Sequence, residues 1–393
     1  RDRGITDERL PLVAAITLGQ KSMLDQEQKQ IFIKAGIMHI MAVSGLHAGI
    51  ISLFVFNILF FMKGKLSPLR TVITVLFLWF FAFITGLTPS VLRATLMFSF
   101  LHSGKLMKRN VNNLNSVLAS AFILILIRPS VIFDAGFLLS YSAVTFIICF
   151  YRDFYLKFCL KTRIGDKIWQ TAAITIVAQA GTLPLTITLF NRFPTWFILT
   201  NIVIVPLSSI LIIVGCLIPL TYPLRFISQP LASLLNHLTW LTEFLTEKAA
   251  GLPLSTIENI GMQSIESFIL SLVIFLFMLF FMNRKLIPVR YPLFTLMLLT
   301  LTGTIKSISD RTSGELIVYN IPGASQIGIR TGRILNLYSD GDTIYPEVIR
   351  HYVTEQLKIN LVRPDSQAHL IKTGNKNILI CSNLTNNVLK ETR

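Results

Sequence analysis

The sequence predicts a polytopic α-helical membrane protein of about ten membrane segments, some of them broken or interfacial, followed by a small extracytoplasmic α+β domain at the C-terminus. Composition is the first observation: 52% of the 393 residues are apolar and only 14% are charged, with a mean hydropathy of +0.63. Soluble globular proteins lie well outside these values. The second observation is a series of long apolar runs up to about residue 305. The third is that short alternating runs appear only after about residue 314, which excludes a transmembrane β-barrel before that point.

Ten apolar stretches are candidate membrane segments, and several are shorter than the roughly 20 residues of a full crossing. We therefore expect some of them to be tilted, broken or re-entrant. The eighth stretch contains Glu243, Glu247 and Lys248 beside leucines at helical spacing, so it suits an interfacial amphipathic helix as well as a span. The stretches cover residues 37–62, 70–86, 90–104, 113–128, 135–151, 168–190, 196–219, 229–250, 266–282 and 287–304.

Lys and Arg are distributed unequally between alternate loops. The basic loops contain residues 63–70, 105–109, 152–167, 225 and 284–290, whereas the opposite loops have only Arg128 and Arg192. By the positive-inside rule the basic loops are cytoplasmic, which places residues 1–36 and the tail on the extracytoplasmic side. This topology signal accounts for most of the net charge of +16, and we prefer it to nucleic-acid binding by the loops.

The domain organisation follows from these patterns. Residues 1–36 are predicted to be an extracytoplasmic amphipathic lead-in, residues 37–305 the membrane domain, and residues 306–393 a small α+β domain. In the tail, strands are predicted at 315–321, 326–332, 333–339, 369–374 and 377–383, with a helix after Pro346. Because the chain begins at Arg1 without a methionine, we expect it to be a fragment or a processed product.

The run from Ala35 to Met62 is long enough to cross a bilayer, yet its first half is rich in polar and small residues. Polar groups in a membrane face protein or a water-filled cavity. Paired glycines thin one helix face, and a break in the helix would expose backbone groups to a lumen. A close-packed seam between helices explains the same residues. The candidates in this run are His39, Ser44, Gly45, His47 and Gly49.

Arg93 lies a few residues inside a span, on the side that the loops indicate is extracytoplasmic. Pro89 and Ser90 precede it, and these residue types favour the first turn and the cap of a helix. The guanidinium can bind a phosphate there, or its long side chain can reach the lipid headgroups. Asp134 is either the ionic partner of Arg93 or the cap of the following helix.

The stretch from residue 179 to 206 combines prolines with polar side chains, which predicts broken helices around polar contacts. Phe190 and Phe193 flank a cation, as in a rim that stacks bases and contacts phosphates. An interfacial aromatic belt uses the same residue types. The prolines are Pro184, Pro194 and Pro206, and the polar candidates are Gln179, Asn191, Arg192 and Asn201.

Four motifs occur in order: MHIMAVSGLHAGI (38–50), TGLTPSVLRATLM (85–97), RPSVIFDAGFLLSYSAV (128–144) and AQAGTLPLTITLFNRFPTWFILTNIVIVPL (178–207). Together they resemble the membrane domain of ComEC-type competence proteins, the inner-membrane channel for single-stranded DNA in natural transformation. The resemblance covers roughly residues 10–305. It implies that the candidate residues line or support a path for single-stranded DNA. A polyanion needs a hydrated path with cationic donors through the low-dielectric lipid.

The tail resembles the opening strands of the metallo-β-lactamase-like domain that such proteins usually carry. It departs from that pattern because the metal-binding run of HxHxDH type is missing. Its histidines are His351 and His369, and Asp340, Asp342 and Asp365 are not clustered. We therefore expect no metal, no cofactor and no nuclease activity, and we do not expect this polypeptide to be an enzyme.

No GxxxxGK[ST] motif is present, so a partner would have to drive DNA movement. The resemblance implies single-stranded DNA, membrane lipid, a cytoplasmic helicase-like motor, an extracytoplasmic DNA receptor and further copies of the chain as partners.

Two other function classes compete. A secondary transporter for a small solute would share broken helices, but it should show internal repeats, and we find no convincing one. Pore width distinguishes it from a DNA channel. An intramembrane hydrolase would use Ser44 with His47 or His39, although this span has no carboxylate to orient a histidine.

Overall fold

The fold is described from a computed structural model. It describes residues 6, 8–41, 45–106, 112–158, 161–282, 287–312, 314–321, 324–339, 344–345, 348–349, 352, 357–362, 368–373 and 376–381. By their contacts the residues form two compact units, one of residues 1–257 and 277–287, the other of residues 258–276 and 288–393. This division differs from the predicted boundary at residue 306.

The described residues contain twelve α-helices, which account for most of the chain up to residue 312. Their bounds are α1 (Leu10–Leu18), α2 (Gln26–Lys34), α3 (Gly45–Ile58), α4 (Ser67–Ile84), α5 (Pro89–Leu106), α6 (Asn113–Ile127), α7 (Ala135–Leu156), α8 (Arg163–Phe190), α9 (Phe197–Leu220), α10 (Arg225–Ala250), α11 (Ser264–Met282) and α12 (Arg290–Thr312). Side chains cap several of them: Asn112, Asp134 and Thr162 accept hydrogen bonds from the first turns of α6, α7 and α8.

Six helices in the described part of the chain are long and apolar enough to cross a membrane, namely α4 with the turn before it, α7, α8, α9, α11 and α12. The helical segment 47–61 and helix α6 are apolar but shorter. Large apolar side chains such as Phe83, Phe122 and Leu126 are exposed on these helices, as expected of surfaces that face lipid. The fold is thus compatible with a polytopic membrane protein, while the count of ten spans is not confirmed, since α5 and α10 are not among the six.

Helix α1 is buried, which differs from the lead-in predicted for residues 1–36. Leu12, Ala15 and Ile16 are almost fully buried in the core of the first unit, and α1 packs against α9. Its residues are apolar on all sides, so it is a core helix and not an amphipathic surface helix. The same core includes residues of α3, α4, α5, α9 and α10, so residues 10–18 belong structurally with the helices that follow.

The prolines interrupt the helices less than the sequence predicted. Helix α8 continues through Pro184, and α9 continues through Pro206 and Pro219. The break falls instead at residues 191–196, around Pro194. The stretch thus contains one of the expected breaks, beside Asn191, while Pro184 and Pro206 lie within continuous helices. The Thr188 hydroxyl also donates to the carbonyl of Pro184 at 2.9 Å, within the same helix.

Strand β1 (Arg192–Pro194) lies in the break between α8 and α9, and strand β2 (Thr256–Glu258) follows α10. The two short strands pair with each other. Asn191 ends α8 in the left-handed conformation, with a φ of 52°. Asparagine tolerates this conformation better than most residues do, which explains why the chain can turn out of the helix here.

The tail forms strands β3 (Gly314–Ile321), β4 (Ala324–Thr331), β5 (Ile334–Ser339) and β6 (Lys358–Val362) in the sheet order β3-β4-β5-β6. The first two pairings are antiparallel and the last is parallel. Strands β7 (Ala368–Thr373) and β8 (Lys376–Cys381) form a separate hairpin. Five predicted strands are confirmed, whereas β6 was missed because it follows directly on the predicted helix. Most of that helix lies outside the described residues.

Candidate functional site

A buried arginine is the centre of the candidate site. Arg93 lies one turn into α5 and is only 4% exposed, although it is a charged residue. Its Nη2 donates a hydrogen bond to the Ser90 hydroxyl at 2.9 Å. Its Nε and Nη1 have no hydrogen-bond partner among the described residues. A buried guanidinium with unused donors is energetically unfavourable unless a further group binds it.

Asp134 performs both of the roles that the sequence left open. Its Oδ1 accepts a hydrogen bond from the backbone N–H of Phe137 at 2.8 Å, which caps α7. The same atom lies 3.7 Å from Nη1 of Arg93, an ion pair longer than a hydrogen bond. The Asp134 side chain is 46% exposed and that of Arg93 is 5% exposed, so solvent screens one partner and not the other.

The first turn of α7 lies against the guanidinium at Gly136. A β-carbon added there would lie 3.4 Å from Nη2 and 3.6 Å from Nη1 of Arg93, and 3.1 Å from Oδ1 of Asp134. The absence of a side chain at Gly136 therefore leaves room for both charged groups. The first N–H groups of a helix have no partner within it, so this turn adds partial positive charge beside Arg93.

A small recess opens beside Arg93, between α3, α5 and α7. It is lined by Gly45, Arg93, Ala94, Met97, Ser140, Tyr141 and Val144. Its cavity volume is about 20 Å³, which is room for about one water molecule. The recess is therefore not a corridor for a chain, and the predicted hydrated corridor stays a prediction.

The candidate residues in the run from Ala35 to Met62 do not all lie at the recess. Gly45, the first residue of α3, lines the recess with Arg93. His47 is completely buried, and its ring donates to the backbone carbonyl of Ile16 in α1. Gly49 packs against the ring of Phe98, which would lie 3.1 Å from an added β-carbon. The side chain of His39 is exposed in the turn after α2. Ser44 lies outside the described residues.

The remaining candidates do not line the recess. Gln179 is half-buried on α8, and Asn191 and Arg192 follow the end of that helix. Asn201 is buried on α9, with its side-chain oxygen unbonded among the described residues. Pro89 begins α5, as predicted. Ser90, which was predicted to cap this helix, lies within its first turn and binds Arg93 instead.

Comparison with known proteins assigns the chain to a family. The family model for competence proteins matches residues 16–285, which is more than half of the sequence. This chain belongs to the competence protein family. The match covers α3, α5 and α7, so the buried arginine and its recess lie within the family's own region. No solved structure matches the chain significantly.

Similar proteins include the ComE operon protein 3 of Bacillus subtilis, 31% identical over 204 residues, which are 52% of this chain and 25% of that protein. Recombination protein 2 of Haemophilus influenzae is 27% identical over 217 residues, 51% of this chain and 27% of that protein. An uncharacterized protein of Aquifex aeolicus is 27% identical over 183 residues, 46% of this chain and 41% of that protein. The aligned part of this competence protein thus spans less than half the length of each of these relatives.

Sequence reasoning missed two features of the site in this competence protein. Tyr141 lines the recess two turns after Asp134, and its hydroxyl lies 3.0 Å from that of Ser120 on α6. A spacing of seven residues puts Asp134 and Tyr141 on one helix face, which was a usable signal. Ser52 and His102 form a buried pair at 2.9 Å between α3 and α5. They are 50 residues apart in the sequence, so no local pattern could have paired them.

Proposed function

We propose that this competence protein forms the membrane part of a channel that conducts single-stranded DNA inward across the inner membrane during natural transformation, with the tail on the extracytoplasmic side. The observation that carries the proposal is Arg93, a buried cation beside a recess, with two nitrogens that have no hydrogen-bond partner in the described part of the chain. Family membership supports a role in competence. The names of two relatives, a com operon protein and a recombination protein, agree with that role.

The chemistry that we propose is transport and not bond cleavage. The hydrolase alternative is not favoured, because neither α3 nor α5, which hold the buried Ser52 and His102, contains an acidic residue that could orient the histidine. Motion of the strand would be driven by a separate cytoplasmic motor, and an extracytoplasmic receptor would supply the DNA. Assembly of several copies is part of the same proposal.

A knockout strain complemented with variants tests the proposal. We expect the strain without this protein to capture DNA at its surface but to import none of it. Arg93→Gln and His47→Gln should reduce import of labelled DNA into the nuclease-protected fraction at least tenfold, with normal protein levels in the membrane. Arg128→Gln is the matched control, because Arg128 is exposed and its side chain donates to the nearby Ser130 hydroxyl at 3.2 Å. Normal import in the knockout strain would refute the proposed function.

A secondary transporter for a small anionic solute is the second candidate, because the chain break at residues 191–196 between two apolar helices is a feature that such transporters share. Reconstitution into vesicles separates the two candidates. A DNA channel should pass a fluorescent oligodeoxythymidylate when a motor or a membrane potential is supplied. A transporter should exchange small organic anions and leave the oligonucleotide outside.

A further inference from the structure

We infer that the end of the hairpin formed by α7 and α8 binds the headgroups of acidic phospholipids in preference to those of zwitterionic ones. The hairpin end comprises residues 152–158 and 161–168 of the described chain. The two helices pack against each other, and both are long and apolar enough to cross a membrane, so their shared end lies where a spanning helix leaves the hydrocarbon. The inference does not rest on the proposed function, because it concerns the lipid around the protein and not a transported strand.

Hydrogen bonds at the hairpin end fix which face of α8 points toward α7. The Tyr155 hydroxyl donates to Oδ1 of Asp166 at 2.6 Å, and Nε2 of Gln170 donates to Oδ2 of the same carboxylate at 2.9 Å. Nε1 of Trp169 donates to the backbone carbonyl of Tyr155 at 3.1 Å. The one acidic residue in the sequence of α8 therefore points toward α7, with both carboxylate oxygens hydrogen-bonded.

The opposite face of α8 is apolar at its centre and basic along one side. Ile164 and Ile168 are one turn apart, and they are 76% and 47% exposed. Arg163 and Lys167 lie one turn apart beside them and are also exposed. The charged groups of this arginine and lysine have no hydrogen-bond or ion-pair partner in the described part of the chain. A helix face at a membrane surface has this composition, because apolar side chains enter the acyl boundary while neighbouring cations reach the phosphates.

Lys157 shows that the basic residues of the hairpin end are not equivalent. Its Nζ lies 3.9 Å from the centroid of the Phe281 ring and donates to the backbone carbonyl of Phe281, one residue before the end of α11. The last carbonyls of a helix have no partner within it, so this lysine caps the end of α11. Lys157 is thus used within the protein, whereas Arg163 and Lys167 are available to a ligand.

The composition of the hairpin end favours a lipid surface over nucleic acid. Residues 152–167 contain five Lys or Arg and two Asp, an excess of three positive charges, and basic clusters directly beside a spanning helix bind acidic headgroups. A surface for single-stranded nucleic acid would present aromatic rings on which bases stack. The Trp169 ring is instead packed by Phe154 and Phe158, with ring centroids 5.8 Å and 5.4 Å away. The most exposed large apolar side chain of the hairpin end is the aliphatic Ile164.

The test uses the fluorescence of Trp169, which lies beside the hairpin end. The full chain is reconstituted into vesicles after the other three tryptophans are replaced by phenylalanine, and brominated lipids then report which lipid lies next to Trp169. Dibrominated phosphatidylglycerol should be preferred over dibrominated phosphatidylcholine by about fivefold or more in quenching at equal mole fraction, and this preference should fall with increasing salt. The double variant Arg163→Gln Lys167→Gln should lower the preference to about one.

Two control variants keep the test specific to this surface. Lys34→Gln Lys358→Gln removes the same charge at exposed positions outside the hairpin end, so it should leave the preference unchanged. Arg163→Lys Lys167→Arg keeps both charges and should retain the preference, which separates loss of charge from any effect of substitution on folding.

The inference is overturned if both lipids quench Trp169 equally with the hairpin end unchanged, or if Arg163→Gln Lys167→Gln keeps the full preference. Nucleic acid is tested by adding an oligodeoxythymidylate to vesicles of phosphatidylcholine alone. A change in Trp169 fluorescence that requires Arg163 and Lys167, together with equal quenching by the two lipids, would assign the surface to nucleic acid and also overturn the inference.

Discussion

The ring of Pro194 packs directly on the backbone of Gly36, so that a β-carbon added to Gly36 would lie 2.7 Å from Cβ and 2.9 Å from Cγ of the proline. This contact joins the turn after α2 to strand β1, two parts of the first unit that are far apart in sequence. The exposed His39 follows Gly36 by three residues, so the contact between Gly36 and Pro194 helps to fix the position of His39.

Gly36→Ala should destabilise the protein through two separate effects. The φ of Gly36 is +76°, a left-handed conformation that costs an L-residue about 1–2 kcal/mol, and the methyl group would overlap Pro194. Gly86 has the same φ of +76° but no atom within 4 Å of an added β-carbon. Gly86→Ala is therefore the control for strain alone. We expect Gly36→Ala to lower the free energy of unfolding by about 1–3 kcal/mol more than Gly86→Ala does, measured by unfolding in mixed micelles. Equal losses would contradict this packing.

Glu243 should make stability depend on pH. It lies on α10, which is not among the helices that qualify as spans. Burial raises the pKa of its carboxyl group, Arg9 opposes this, and Glu247 and Glu8 raise it further. The folded protein thus binds a proton more readily than the unfolded chain, whose glutamates titrate near pH 4.3, and stability falls as the pH rises through the folded-state pKa.

Replacing Glu243 by glutamine removes this loss. Glu243→Gln should therefore be more stable than the native sequence at pH 7. The difference should disappear below about pH 4, where the carboxyl group of Glu243 is protonated in both the folded and the unfolded protein. Thermal unfolding of the detergent-solubilised protein from pH 4 to pH 8 measures it. Glu258→Gln, at an exposed position, is the matched control. A gain that is the same at every pH would show that Glu243 acts by packing and not by its charge.

Local sequence pattern was sufficient where a structure depends on neighbouring residues. The five strands of the tail were predicted because alternation has a period of two, which needs no distant partner. The start of α5 at Pro89 and the capping by Asp134 are equally local, since each depends on a residue and the turn after it. The family resemblance located the same segments and is confirmed by the family match.

The features that the sequence could not predict depend on contacts between residues far apart in the chain. Residues 1–36 were predicted to be an amphipathic lead-in, but the structure packs α1 against α9, so the apolar residues of α1 belong to the core. The packing of Pro194 on Gly36 joins residues that lie about 160 positions apart in the sequence. In the candidate site, the sequence identified Arg93 and Asp134 but could not show which nitrogens stay unbonded, because that depends on Ser90 and on the angle at which α7 meets α5.

The sheet of the tail contains an ion pair whose two members should contribute unequally. Glu315 and Arg330 lie directly opposite each other on β3 and β4, with Oε2 and Nη1 3.7 Å apart. The Glu315 side chain is 53% exposed and that of Arg330 only 5%. Nε of Arg330 also donates to the carbonyl of Gly332 at 3.0 Å. The arginine therefore contributes packing and a hydrogen bond beyond the ion pair.

We expect Glu315→Gln to change local stability by less than about 1 kcal/mol, as exposed ion pairs do, and Arg330→Ala to cost about 1–3 kcal/mol. Hydrogen exchange of the full chain, followed by mass spectrometry of peptides from β3 and β4, reports the local effect. Arg333→Ala, in the exposed turn before β5, controls for charge removal in the same sheet. Loss of protection in Glu315→Gln as large as in Arg330→Ala would show that the ion pair itself dominates.

Gly181 allows a close approach between α7 and α8. A β-carbon there would lie 2.7 Å from Cγ and 2.8 Å from Cδ2 of Phe146, and the Ser142 hydroxyl donates to the carbonyl of Gly181 at 2.6 Å. Gly181→Ala must therefore displace either the ring or the helix, at a cost of about 1–3 kcal/mol. Gly303→Ala, in α12, should be neutral or stabilising, because nothing lies within 4 Å and alanine favours a helix.

A double-mutant cycle with Phe146→Ala tests whether the ring is the obstacle. Removing the ring makes room for the methyl group, so Gly181→Ala should cost much less in the Phe146→Ala background, giving a coupling free energy of about 1 kcal/mol or more. If instead the two losses add within about 0.5 kcal/mol, the methyl group clashes with something other than Phe146.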